Sequence, residues 1–152
     1  MIPTNINKID KKIIFSIPLM IMGLLMIILG ARWMIVDEPW MLDKVANEER
    51  LRMTFDELFK PEINKTLPGY LKQIYRFFGL WVIIIGSFIT LLSRPQIIEN
   101  NNIRLILLFC IGILVYPGLI LGYILIPSSP FIYLGWLLVS IHLLSLFNHQ
   151  KL

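Results

Sequence analysis

Apolar residues in this chain fall into four long blocks separated by segments where polar and charged residues gather. The blocks run from about Ile13 to Val36, Ile74 to Leu92, Ile103 to Ile126 and Phe131 to Phe147. A transmembrane helix needs about 20 mostly apolar residues to cross the hydrocarbon core. The first three blocks reach that length. The fourth, at roughly 17 residues, stands at the lower limit. The pattern predicts an all-α integral membrane four-helix bundle, forming one domain over residues 1–152. Pro18 falls in the first turns of the first span, where a missing N–H costs least. Ser93-Arg94-Pro95 closes the second span, Arg104 opens the third, and Pro117 should kink it.

The connections are unequal. Glu99-Asn100-Asn101-Asn102 joins spans two and three, and Pro127-Ser128-Ser129-Pro130 makes spans three and four a tight antiparallel hairpin. The first connection, residues 37–73, carries its own helical signals. Asp37-Glu38-Pro39-Trp40 reads as a helix start, with acids and proline in the first turn. Thr54-Phe55-Asp56-Glu57 has capping-box spacing. Lys60-Pro61 ends or kinks that helix, and Pro68-Gly69-Tyr70 opens one that continues into span two. Trp40, Met41, Leu42, Val45, Leu51, Phe55, Leu58 and Phe59 supply an apolar face. The expectation is a cap of short amphipathic helices, either folded over the bundle or lying among lipid headgroups.

Charge adds orientation. Lys8, Lys11, Lys12, Arg94, Arg104 and Lys151 lie on one side. The long connection has Arg32, Lys44, Arg50, Arg52, Lys60, Lys65, Lys72 and Arg76, matched by eight acids. The lysine cluster before span one favours cytoplasmic termini, with the cap outside. The net charge of +4 thus serves lipid headgroups and topology, and nucleic acid is not expected as a partner. The chain is 57% hydrophobic and 16% charged, which leaves no room for a separate soluble catalytic domain. Cys110 is the single cysteine, so neither an internal disulfide nor a thiolate metal site is expected. The N-terminal block reads as an uncleaved first span rather than a signal peptide.

Several features could carry function. Of nine Trp and Tyr residues, Trp33, Trp40, Tyr70, Tyr75, Trp81, Tyr123, Tyr133 and Trp136 lie toward the cap, and only Tyr116 lies deeper. They form an interfacial belt, or some of them line an amphipathic pocket for a lipid, a quinone-like ring or a partner helix. Arg32 and Arg76 share a membrane depth near Asp37 and Glu38. Each snorkels to lipid phosphate, or together they form a shared site. His142 is the one ionisable residue well inside a span. It is a functional candidate by position, although a lone histidine also serves as hydrogen-bonding glue, with Ser140 and Ser145 nearby. Gly23 and Gly30, like Gly79 and Gly86, are seven residues apart and face one side of their helices; Gly118 and Gly122 have small-xxx-small spacing. These six glycines predict close packing, with spans one and two in contact. No phosphate loop, HExxH or intramembrane carboxylate pair occurs, and no metal or other cofactor is expected. Asn64-Lys65-Thr66 fits the glycosylation pattern, which matters only in a eukaryotic secretory pathway. The abundance of Ile, Asn and Lys hints at a bacterial source.

The order of one span, a folded outer segment, a span opening Tyr75-Arg76-Phe77-Phe78-Gly79-Leu80, then a tight pair resembles the DoxX-like four-helix membrane proteins. The resemblance covers the whole chain through topology, and rests locally on Arg76 and Gly79. It implies a bacterial inner-membrane protein, sometimes linked to respiratory or redox systems, and carries over no catalytic residue. Three functional expectations follow. The first is a non-enzymatic accessory subunit, or a binder of lipid or an apolar small molecule at the outer leaflet. The second is a quinone- or redox-linked component using His142 or Arg76. The third is an oligomeric transporter or channel. Membrane lipids, other membrane subunits or further copies of the chain are the expected partners.

Overall fold

The computed structural model describes residues 4–150, with side chains described from Lys11 onward. Lys151 and the side chain of Lys8, both counted above for orientation, lie outside the described residues. Six α-helices follow in order: α1 (Thr4–Ile35), α2 (Lys44–Leu51), α3 (Phe55–Phe59), α4 (Leu67–Leu92), α5 (Asn101–Leu125) and α6 (Phe131–His149). Four of them, α1, α4, α5 and α6, are long and apolar enough to cross a membrane. The chain is an all-α integral membrane protein with a four-helix arrangement.

Two helix starts differ from expectation. α1 begins at Thr4, so Pro18 lies in its interior rather than its first turns. The lysine-bearing segment before the apolar block simply continues the helix, since lysine is a good helix former outside the hydrocarbon. The start expected at Asp37–Trp40 is a short 3-10 helix, Pro39–Asp43. Asp43 leaves helical geometry at φ −131°, and α2 opens only after it. The Thr54 capping box does form: Thr54 Oγ1 accepts from the Glu57 amide at 3.2 Å, and the Glu57 carboxylate accepts from the Thr54 amide at 2.8 Å.

α1 and α4 make the most extensive pairing; α1–α6 and α5–α6 follow, while α4 and α5 touch only sparsely. The ring of helices therefore runs α4, α1, α6, α5 and stays open between its ends. Glycine explains the closeness of the α1–α4 pair. A Cβ on Gly86 would stand 2.6 Å from the Gly23 carbonyl oxygen, and one on Gly79 would stand 2.6 Å from the Gly30 carbonyl. Two reciprocal glycine pairs thus let the backbones touch, which suits an apolar medium where packing must hold helices together. A Cβ on Gly122 would stand 3.0 Å from Ile132 Cδ1 of α6. Gly118 does not join this packing, contrary to its spacing: a Cβ there would meet nothing within 4 Å, because it faces the gap beside α5. The core beneath is formed by Phe15, Leu19 and Met22 of α1 with Ile89, Leu107, Leu108, Ile111 and Val139.

The cap is folded onto the bundle. Trp40 and Phe55 are buried, and their rings cluster with Phe59 at centroid distances of 5.5–6.4 Å. Asn47 ties the cap to α4, donating to the Tyr75 hydroxyl at 3.2 Å and to the Trp40 carbonyl at 3.0 Å. Ser128 donates to Glu49, which fastens α2 to the α5–α6 turn. Met41, Val45 and Leu51 stay exposed, so part of the expected apolar face points away from the protein.

Candidate functional site

At the cap end, the four charges do not converge into one site. Asp37 pairs with Lys72 at 2.8 Å. That hydrogen bond and charge hold its carboxyl below the usual carboxylate range, with a smaller contribution from Arg76. Arg32, Arg76 and Glu38 are exposed, and neither arginine has an ion-pair partner among the described residues. Trp81, Tyr133 and Trp136 are also exposed. Trp136 donates to the Tyr123 hydroxyl at 2.8 Å along the α5–α6 edge. This is the arrangement of an interfacial belt. Trp40, Trp33 and Tyr75 are exceptions: Trp40 is buried within the cap, and Trp33 and Tyr75 are half-buried.

Beneath the cap lies a polar group the sequence did not single out. Asp43 is buried, and its Oδ1 has no hydrogen-bond partner. Burial pushes its carboxyl above the usual range, and a hydrogen bond from Ser129 opposes the shift. The folded state therefore holds the Asp43 proton more tightly than the unfolded chain does. The stabilisation is complete below the ordinary carboxylate value and is lost as pH rises through the raised one. Thermal unfolding in detergent should accordingly show a midpoint that falls with rising pH across that interval. Asp43→Asn should flatten this part of the profile; an undiminished slope in the variant would assign the effect to other groups.

The opposite end of the bundle is more structured than its sequence suggested. Arg104 is buried, with its guanidinium donating to the Ile98 carbonyl at 2.7 Å, the Glu99 carbonyl at 3.2 Å, Asn101 Oδ1 at 3.0 Å and His149 Nδ1 at 3.2 Å. Ser16 donates to the Ser93 carbonyl, and Lys12 pairs with Glu99 at 2.6 Å. This end ties the α4–α5 connection to both α1 and α6. The only signal in the sequence was an arginine set directly within the Ile103-Arg104-Leu105 run.

Two openings flank α5 at hydrocarbon depth. One, of about 650 Å³, lies between α4 and α5; Phe88, Leu92, Ile111, Leu114 and Gly118 help line it, and exposed Cys110 is at its wall. A void of about 310 Å³ inside the cap end of the bundle shares Ile85, Leu114 and Gly118 with it. The other opening, about 510 Å³, is a groove where α5 meets α6. His142 and Tyr116 line that groove.

His142 is 3% exposed. Its partners are on α5, not the neighbouring serines: Nε2 lies 2.9 Å from the Leu108 carbonyl, and Nδ1 lies 3.0 Å from the Tyr116 hydroxyl. Ser140 and Ser145 instead donate to the Trp136 and Ile141 carbonyls of their own helix. Gly112 makes room for the imidazole; a Cβ there would stand 3.4 Å from His142 Cε1. The one deep histidine and the one deep tyrosine are thus joined across the helix interface, which sequence spacing alone did not reveal. Among the described residues, no cluster of three or more His, Cys, Asp or Glu could hold a metal. Comparison of the chain with protein-family models, with curated proteins and with solved structures gives no match.

Proposed function

We propose that this protein is a non-catalytic membrane component that holds a lipid chain or another apolar small molecule in the openings flanking α5. The observation that carries this reading is the parting of α4 from α5, which leaves an apolar cleft of about 650 Å³ facing the lipid. Ligand sites are concave, largely apolar and of this size. The cap end is the weaker candidate, since its arginines and most of its aromatic rings face outward. A bacterial cytoplasmic membrane, termini on the cytoplasmic side and a place beside the DoxX-like proteins belong to the same proposal. They rest on charge placement and helix layout.

Native mass spectrometry of protein released from nanodiscs tests the reading. A discrete bound species is expected, retained under conditions that strip bulk lipid. Gly118→Phe should displace it without loss of stability, because that position has open space on the cleft side. A bare chain in the wild type, or an unchanged bound species in the variant, would overturn the assignment to this cleft. Co-purification of another membrane subunit in place of a small molecule would favour the accessory-subunit reading.

A further inference from the structure

We infer that the α5–α6 groove takes the ring of a membrane-soluble hydroquinone and recognises it through its hydroxyl, with Tyr116 as the acceptor. This rests on the reading of the protein as a binder of apolar small molecules, and it names the chemistry of one of its two openings.

Proton accounting leads there. The Leu108 carbonyl can only accept, so His142 Nε2, at 2.9 Å, must carry a proton. His142 is buried, and no carboxylate touches it among the described residues. In the uncharged imidazole, Nδ1 is then a lone pair. It accepts the Tyr116 proton across 3.0 Å. The phenol's only hydrogen is thereby committed, and what Tyr116 offers the groove is an acceptor. A second acceptor lies one turn away. Pro117 has no N–H, so the Ile113 carbonyl lacks its usual helical donor, and both residues line the groove. The groove therefore favours a ligand that brings donors, and discriminates against one that brings only carbonyls.

Depth narrows the ligand class. His142 is eleven residues beyond Phe131, so it lies about 16 Å along the helix, near the middle of a core about 30 Å thick. Diacylglycerol and phospholipid headgroups are anchored at the interface by their esters and do not reach that level. A hydroquinone on an apolar tail does. Phe109, which is largely exposed, offers its ring an aromatic wall in the same groove.

Binding of a decyl-substituted benzohydroquinone to the full chain in nanodiscs tests this, against its dimethyl ether and the matching quinone as same-skeleton controls. The hydroquinone should bind about tenfold more tightly than either control, the effect of one desolvated hydrogen bond. Tyr116→Phe should remove most of that preference while leaving the weak binding of the controls in place. His142→Leu frees the Tyr116 proton and should shift preference toward the quinone. Equal affinity for hydroquinone and ether, or a preference that survives Tyr116→Phe, would overturn the inference. Binding of none of the three probes would also overturn it, while a retained lipid removable by Gly118→Phe would leave the broader reading standing.

Discussion

Replacing Gly86 with leucine should lower the thermal midpoint of the detergent-solubilised protein by roughly 10 °C, taking an overpacking cost near 3 kcal/mol for a chain of this size. Even the Cβ alone would stand 2.6 Å from the Gly23 carbonyl and 2.9 Å from Met26 Cβ. A backbone carbonyl held in helix α1 cannot rotate away, so α1 and α4 must separate. That loosens the most extensive interface in the bundle, including Met26 and Ile89 in the core. Lipid tails offer the separated faces as good an apolar environment, so only the lost close packing opposes the separation. Gly79→Leu should act alike through the Gly30 carbonyl. Gly118→Ala, with nothing within 4 Å of the new methyl group, should hold or slightly raise the midpoint, since alanine favours the helix over glycine, and serves as the control. Equal midpoints for Gly86→Leu and Gly118→Ala would refute the seam.

The α1–α4 seam and the four spans could be read from sequence because both depend on local pattern. Run length sets whether a helix can cross lipid, and a seven-residue glycine spacing places two gaps on one face. The Thr54–Glu57 box was legible for the same reason, since all its bonds close within three residues. At Gly118 spacing and packing part: two small residues share a face there, but no neighbour occupies it. Tyr116 and His142 each stood out by depth, yet their pairing depends on how α6 rotates against α5. The parting of α4 from α5 is a property of the whole ring of helices, and no single segment encodes it. Asp43 was hidden among eight acids of the long connection; its burial and its hydrogen bond with Ser129 depend on how the cap folds onto the bundle.

Arg104→Met should destabilise the protein by about 1.5–3 kcal/mol, the range for hydrogen bonds made by a charged group to neutral acceptors. Methionine keeps the length and apolar stem of the side chain, so the loss reports the guanidinium. Four acceptors lose their donor at once: the Ile98 and Glu99 carbonyls, Asn101 Oδ1 and His149 Nδ1. Two of these belong to the backbone entering α5 and one to the last turn of α6, so the network joins segments far apart in sequence. Its disruption should be local before it is global. Hydrogen exchange should rise first in residues 97–101 and at the C-terminal turn of α6, while α2 and α3 at the other end stay protected. Arg104→Lys keeps a charge but not the planar fork that reaches several acceptors, and should recover only part of the loss. His149→Ala removes one acceptor and leaves the backbone bonds intact, so its effect should be the smallest of the three. A midpoint unmoved by Arg104→Met would show that these carbonyls are hydrated rather than held, and that the Ser16–Ser93 and Lys12–Glu99 contacts and the core beneath them close the bundle at this end.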